Sequence, residues 1–258
     1  MSPARRLLLL TVALAVGLAL VGTLVLHLVG RSPTSASPAV AQDRPGTVVL
    51  VPGYGGSTSA LEVLAARLRA AGRVAEVVQL PGAGEDDLQT YVPVLDAAVR
   101  AALAAGAPSV DVVGYSAGGI VTRLWAAGGG TAVTRRVVTL GSPHHGTGVA
   151  ALGNRLLPAA CGDACQQLVP GSALLDRLNS GDETPPGPAW LSLWTSDDTV
   201  VTPPDSARLA GAANVQLQDL CPGATTTHSD LPRDTRVEGV VLAALGTGPL
   251  AVPATCPT

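Results

Sequence analysis

In the stretch "DVVGYSAGGIVTRLW", Asp111 to Trp125, a polar serine stands at an abrupt junction between two apolar segments. The valines before it are typical of a buried strand, and the apolar run after it has a helical pattern. Ser116 is flanked by Gly114 and Gly118, which completes the pattern Gly-x-Ser-x-Gly. A strand, a tight turn and a helix in this order hold such a serine in a cleft as a nucleophile. The stretch therefore predicts an activated Ser116 at the end of a buried strand.

Strand-like segments alternate with helix-like segments on both sides of this junction. The alternation predicts an α/β fold with a mostly parallel central sheet and helices on both faces. Between about residues 147 and 188 the pattern is lost in a segment that contains Pro, Gly and Cys. Because ligands bind beyond the carboxyl ends of parallel strands, we expect this insertion to form a small cap over the site. Strands are predicted at 47–51, 74–80, 110–114, 135–140, 190–195 and 214–218, and helices at 59–71, 87–104, 120–127 and 235–245.

Length and composition limit the classes of protein that the chain can belong to. Its 258 residues suit a single α/β domain. The net charge is −3 and only 14% of the residues are charged, which argues against a nucleic-acid partner. Phe is absent, so the core must be aliphatic. We expect a monomer.

The amino-terminal segment differs from the rest of the chain. Arg5 and Arg6 precede an uncharged apolar run at 7–29, which as a helix is long enough for the roughly 30 Å hydrocarbon core of a membrane. The alternative is a cleaved signal peptide, with an Ala-x-Ala site at 39–41. Both alternatives predict an extracytoplasmic protein, either membrane-anchored or secreted. The predicted organisation is a cytoplasmic n-region at 1–6, an anchor or signal at 7–29, a Ser/Pro/Ala-rich linker at 30–46 and the folded domain at 47–258.

Four cysteines all follow the apolar run. An even number in an oxidising compartment favours two disulfides, and three pairings are possible. We favour a local pair between Cys161 and Cys165 and a bond from Cys221 to Cys256 that holds the carboxyl-terminal tail. No histidine lies near the first pair, which argues against a metal site.

A serine nucleophile needs an imidazole to accept its proton. The sequence contains four histidines, of which His27 lies in the apolar run. His144 and His145 follow Ser116 too closely, because the chain order on this type of sheet is Ser, then Asp or Glu, then His. His228 is therefore the predicted base, and the other two are expected to order a loop or line the cleft.

The acid that orients this base should follow the strand at 190–195. Asp197 and Asp198 both lie there, in "LWTSDDTVVTP". We favour Asp198 as the third member of the triad, with Asp197 as the alternative.

Catalysis also needs two backbone N–H groups for the oxyanion. One donor is expected from Ala117, which follows the nucleophile, and the other from Tyr54 in the glycine-rich loop "VPGYGGS". Gly53 is the alternative to Tyr54.

The sequence resembles the α/β-hydrolase lipases and esterases of bacteria, in particular the small secreted lipases of class 2 that include actinobacterial members. The resemblance covers about 47–245 and implies a carboxylester hydrolase with Ser116, Asp198 and His228 as its triad, without a metal or organic cofactor. In one departure, Pro52 stands where such lipases often have His. The motifs that carry the resemblance are "LVPGYGGS", "VDVVGYSAGGIVTR", "VVTLGSPHHGT", "QLVPGSALLDRLN" and "SDDTVVTPPDSARLAGAANVQL".

Two alternatives to ester hydrolysis stay open. Acyl transfer to an alcohol other than water would use the same residues. A non-catalytic binding module on the same scaffold would be marked by a missing triad member, and the sequence lacks none. Substrate length depends on the insertion at 147–188, since an apolar lid favours long lipid esters and a short fixed segment favours small ones. The expected substrate is an ester or lipid, and lipid esters are favoured because a membrane anchor would keep the enzyme near lipids.

Overall fold

The computed structural model describes residues 40–257, together with the isolated positions 3, 5 and 17. The choice between an anchor and a cleaved signal at 7–29 falls almost entirely outside the described residues and stays a prediction. Among the residues that are described, no helix combines the length and apolar character needed to cross a membrane.

Six parallel strands form the central sheet, in the order β2-β1-β3-β4-β5-β6. This confirms the predicted parallel sheet. Their carboxyl ends therefore meet at one edge, where β3 ends at Tyr115, immediately before Ser116. The strands are β1 (Thr47–Val51), β2 (Ala75–Val77), β3 (Val110–Tyr115), β4 (Thr134–Leu140), β5 (Ala189–Trp194) and β6 (Ala213–Gln216).

Helices cover both faces of the sheet, as the uninterrupted apolar strands require. Successive residues of β1 face opposite sides, so Val48 packs in one core cluster and Val49 in the other. Helices α1 and α8 contribute to the first cluster, and α2 to α6 contribute to the second. The helices are α1 (Ser59–Ala70), α2 (Val92–Ala104), α3 (Ala117–Ala127), α4 (Gly148–Leu156), α5 (Asp163–Gln167), α6 (Ala173–Asn179), α7 (Leu217–Leu220) and α8 (Thr235–Ala244), with 3₁₀ turns at Leu88–Tyr91, Gly130–Val133, Pro204–Ala207 and His228–Arg233.

Some element bounds differ from those that the sequence predicts. The helix predicted at 87–104 is a 3₁₀ turn followed by α2, because Pro93 has no N–H to donate to the carbonyl of Gln89 and is accommodated in the first turn of α2. The strand predicted at 74–80 is only three residues long and pairs with β1 alone at the edge of the sheet. The segment predicted as a strand at 214–218 turns into α7 after Gln216.

The insertion at 147–188 contains α4, α5 and α6, although the sequence shows no regular pattern there. Leu168 and Leu175 pack against the core cluster of α2 and α3. Arg123 on α3 is buried beneath the insertion and donates to the carbonyl oxygens of Leu178 and Glu183 and to Oδ1 of Asn179, at 2.9–3.1 Å. Burial lowers the pKa of this guanidinium to about 10, so it stays charged at neutral pH. The carboxyl-terminal end of the insertion is thus tied directly to the helix that follows Ser116.

Both disulfides occur in the favoured pairing. Cys161, just before α5, is bonded to Cys165 within α5, and Cys221 is bonded to Cys256 near the end of the chain. No free cysteine occurs in the described part of the chain.

Candidate active site

Ser116 occupies a strained turn between β3 and α3. Its φ of 53° and ψ of −127° make it the only non-glycine residue with positive φ in the described part of the chain. Such a conformation costs on the order of 1–3 kcal/mol and persists where the surroundings enforce it. A Cβ atom on Gly118 would lie 2.5 Å from the carbonyl oxygen of Pro52, so only glycine fits there. The Gly-x-Ser-x-Gly pattern therefore reflects close backbone approach as well as turn geometry.

We expect Gly118→Ala to lower the free energy of unfolding by about 1–3 kcal/mol, because the added methyl group must displace the backbone of the loop after β1. Gly128→Ala, at the other end of α3, is the matched control. Its Cβ would meet nothing closer than the carbonyl oxygen of Trp125 at 3.4 Å. Urea denaturation measures both variants, and equal stability of the two would contradict the steric argument.

The structure brings Ser116, His228 and Asp198 together. Nε2 of His228 lies 3.0 Å from Oγ of Ser116, and Nδ1 of the same ring lies 2.6 Å from Oδ2 of Asp198. All three residues are at most 9% exposed, so their interactions are only weakly screened by water. The three groups come from three different loops at the carboxyl edge of the sheet.

The structure distinguishes between the two adjacent carboxylates. Oδ1 of Asp198 accepts hydrogen bonds from the N–H groups of Val200 and Val201 at 2.9 and 2.8 Å, which leaves Oδ2 directed at the imidazole. Asp197 is exposed, and its carboxylate meets the N–H of Thr226 at 3.4 Å instead. Only Asp198 contacts His228.

The loop after β1 passes close to the serine. A Cβ atom on Gly53 would lie 2.8 Å from Cβ of Ser116. Within residues 40–257, the N–H groups of Gly53, Tyr54 and Ala117 donate no hydrogen bond to the protein. Ala117 and either Tyr54 or the alternative Gly53 are therefore free to bind an oxyanion. The backbone donor does not depend on the side chain at Pro52, where the resembled lipases often have His.

An apolar cavity of about 260 Å³ opens beside Ser116. The first part of the insertion forms one wall of the cavity, and the loop after Asp198 forms another. Leu152, Leu156 and Leu157 on and after α4 are exposed outside the cavity. The cavity is lined by Tyr54, Ser116, Pro143, Thr147, Val149, Ala150, Gly153, Cys165, Leu168, Val200 and Val201.

His144 and His145 lie outside the triad. His144 is fully buried, with Nε2 at 3.0 Å from Oγ1 of Thr139, and its carbonyl accepts a hydrogen bond from Asn179. Burial, followed by the charge of Arg123, lowers the pKa of His144 well below its usual value, so the ring is neutral at neutral pH. The His145 side chain lies 3.0 Å from Glu183. Both residues connect the loop after β4 to the insertion, consistent with the expected ordering of the loop.

Two neighbours of the site were not predicted. Tyr115 donates a hydrogen bond to the carbonyl of His228, and Gln218 binds Thr195, Ser196 and the carbonyl of Ala224. Tyr115 occupies a variable position of the serine pattern, and Gln218 lies in an unremarkable polar segment. Neither position carries a sequence signal, because both contacts join loops that are distant along the chain.

Comparisons with known proteins agree with the fold. The model of the alpha/beta hydrolase family matches residues 48–255. The chain is similar to Aspergillus fumigatus lipase B, with 21% identity and a TM-score of 0.69 over 84% of this chain, but it spans only 56% of that lipase. It is also similar to the mature lipase BlEst2 of Bacillus licheniformis (22% identity, TM-score 0.65, 79% of this chain and 93% of that one). A third similar structure is a bromoperoxidase from Bacillus anthracis (13% identity, TM-score 0.53, 77% of this chain and 91% of that one).

At these identities the structural likenesses describe the fold alone. No curated protein matches the chain significantly by sequence.

Proposed function

The chain belongs to the alpha/beta hydrolase family, and on this premise we propose that it is a serine carboxylester hydrolase. The observation that carries the proposal is the continuous path of contacts from Ser116 through His228 to Asp198, at 3.0 and 2.6 Å. A serine hydroxyl becomes a strong nucleophile only when such a base accepts its proton.

In the first half of the proposed reaction, Oγ of Ser116 attacks the ester carbonyl carbon while Nε2 of His228 accepts the hydroxyl proton. Asp198 stabilises the resulting imidazolium through Nδ1. The N–H groups of Tyr54 and Ala117 stabilise the tetrahedral oxyanion. His228 then donates its proton to the departing alcohol, and the acyl group stays on the serine.

In the second half, water attacks the acyl-enzyme and His228 accepts a proton from it. The collapse of the second tetrahedral intermediate returns this proton to Ser116 and releases the carboxylic acid. No step requires a metal or an organic cofactor.

The shape and lining of the cavity support recognition of an apolar acyl group. Its walls are mainly aliphatic, and burial of each CH₂ contributes about 0.8 kcal/mol to binding. Helix α4, which lines the cavity through Val149 and Ala150, also carries the exposed Leu152 and Leu156. We therefore assign lipid esters as the substrate class.

The proposed location is extracytoplasmic. Two disulfides are compatible with an oxidising compartment. Secretion or anchoring through residues 7–29, and a monomeric state, are parts of the same proposal.

A fluorophosphonate probe tests the proposed function directly, because it reacts quickly only with an activated serine. We expect stoichiometric labelling of the folded protein, no labelling of Ser116→Ala, and hydrolysis of p-nitrophenyl esters by the wild type alone. A folded wild type that neither labels nor hydrolyses any ester from butyrate to palmitate would favour the binding module instead.

We expect Ala150→Leu to shift the chain-length preference toward short esters. The larger side chain fills part of the cavity, and displacing about two methylenes of a long acyl chain costs ~1.6 kcal/mol, or roughly 10- to 20-fold in kcat/KM. The measured quantity is the ratio of kcat/KM for palmitate to that for butyrate. Asn154→Leu on the same helix is the control, since Asn154 does not line the cavity. An unchanged ratio for Ala150→Leu would mean that acyl chains bind elsewhere.

A further inference from the structure

Tyr115, between Gly114 and Ser116, contacts the loop that carries the base. Its hydroxyl donates to the carbonyl oxygen of His228 at 3.1 Å, and its ring centroid lies 5.2 Å from that of the imidazole. The side chain thus reaches from the nucleophile's own strand to the backbone of the base.

The other hydrogen bonds that leave the base loop lead to the acid loop and to α8, where Oγ1 of Thr226 donates to Asp234 and accepts from Arg236. Oγ1 of Thr195 donates to the carbonyl of Thr226 at 2.8 Å. Gln218 bridges Thr195 and the carbonyl of Ala224 at 2.7 and 3.2 Å. These bonds hold the base relative to the acid and do not fix its distance from the serine.

The Tyr115 hydroxyl connects the base loop to the strand that carries the serine. Within residues 40–257, it makes the one hydrogen bond that joins β3 to the loop around His228, apart from the Ser116–His228 contact itself. Burial, followed by the charge of Asp198, raises the pKa of Tyr115 to about 12, so the phenol keeps its proton at any pH suited to ester hydrolysis.

We propose that Tyr115 is a positioning residue, which holds the backbone of His228 so that Nε2 stays within proton-transfer distance of Oγ of Ser116. The inference rests on the proposed function. Proton transfer depends steeply on geometry, and a misplacement of ~1 Å can cost about 100-fold in rate. The effect should appear in kcat, because Tyr115 does not line the acyl cavity.

The test is Tyr115→Phe, which keeps the ring and removes the hydroxyl. We expect kcat for p-nitrophenyl butyrate to fall at least about 10-fold, within the ~100-fold limit above, with KM changed less than about 2-fold. The second-order rate constant of fluorophosphonate labelling should fall by a similar factor. Rates are normalised to the concentration of folded protein.

Thr134→Val is the matched control. Oγ1 of Thr134 is also buried and donates to a backbone carbonyl, that of Gly130 at 2.7 Å, but it lies at the amino end of β4, away from the site. We expect its kcat and labelling rate to equal those of the wild type.

Three outcomes would overturn the inference. Tyr115→Phe could retain the wild-type kcat, it could raise KM alone, or Thr134→Val could lower kcat as much. In each case an active wild type in the same assay leaves the proposed function standing. A wild type that neither labels nor hydrolyses esters would instead refute the proposed function and the inference with it.

Discussion

Replacement of Ser116 by alanine is expected to lower kcat/KM for ester hydrolysis by about 10⁴- to 10⁶-fold, since no other hydroxyl among residues 40–257 lies within hydrogen-bond distance of Nε2 of His228. The remaining rate over water would come from the oxyanion donors and from binding. The fold should be unaffected, because the Oγ atom makes no hydrogen bond other than the one to His228 within the described residues. Steady-state kinetics on p-nitrophenyl esters measure the loss. A Ser116→Ala variant that keeps more than a tenth of the wild-type kcat/KM would show that Ser116 is not the nucleophile.

The same assay tests the acid and the base. His228→Ala should lose as much as Ser116→Ala, and the double variant should lose no more, because the groups act as one unit. Asp198→Asn should lose about 10⁴-fold, since an amide in place of the carboxylate favours the wrong imidazole tautomer. Asp197→Asn is the matched control and should stay within a few-fold of the wild type. A larger loss in Asp197→Asn than in Asp198→Asn would reverse the assignment of the acid.

The sequence predicts the serine turn well because its determinants are local. Strand, turn and helix are contiguous, and the clearance that Gly118 provides depends on a neighbouring strand that any parallel sheet would place there. His228 could be singled out for a different reason, since chain order and the small number of histidines leave little choice.

The sequence favours Asp198 over Asp197 but does not show what distinguishes the two carboxylates. The difference depends on a turn in which Oδ1 of Asp198 accepts two backbone N–H groups, while the Asp197 side chain is exposed. The helices of the insertion were missed for a related reason. They have five to nine residues and are stabilised by packing and by Arg123 rather than by a strong periodic pattern.

At the amino edge of the sheet, opposite the candidate active site, lies a buried ion cluster that the apolar pattern of the strands does not predict. Asp111 and Arg135 are both fully buried and form two hydrogen bonds, at 2.6 and 3.0 Å. Arg73 binds the same carboxylate at 2.6 Å. The sequence shows only that opposite charges stand near the starts of two adjacent apolar strands.

The two arginines also bind backbone from both ends of the domain. Arg135 donates to the carbonyl oxygens of Gln42, Leu245 and Gly246, and Arg73 donates to that of Leu245. Asp111 therefore neutralises the charge of the two arginines. These arginines in turn hold the end of the predicted linker and the end of α8 against the sheet.

We expect Asp111→Asn to lower the free energy of unfolding by about 3–5 kcal/mol, because it leaves the fully buried Arg135 and the partly buried Arg73 without a counter-charge. Urea denaturation measures the loss. Glu62→Gln is the control: Glu62 pairs with Arg69 at 3.3 Å, but both side chains are nearly half exposed. Exposed ion pairs contribute about 0–1 kcal/mol to stability, so Glu62→Gln should change the free energy of unfolding only slightly. An equal loss of stability in the two variants would show that the contribution of the ion cluster to stability does not depend on its burial.

Loss of this cluster should leave the chemistry intact in the molecules that remain folded. Asp111 lies near the amino end of β3, whereas Ser116 follows its carboxyl end. We therefore expect Asp111→Asn to keep the wild-type kcat per titrated active site below its unfolding transition. Limited proteolysis should cleave faster near residues 42–46 and 245–246, since the two arginines donate to the backbone carbonyl oxygens there. A variant with lowered kcat and unchanged stability would instead connect this edge of the sheet to catalysis.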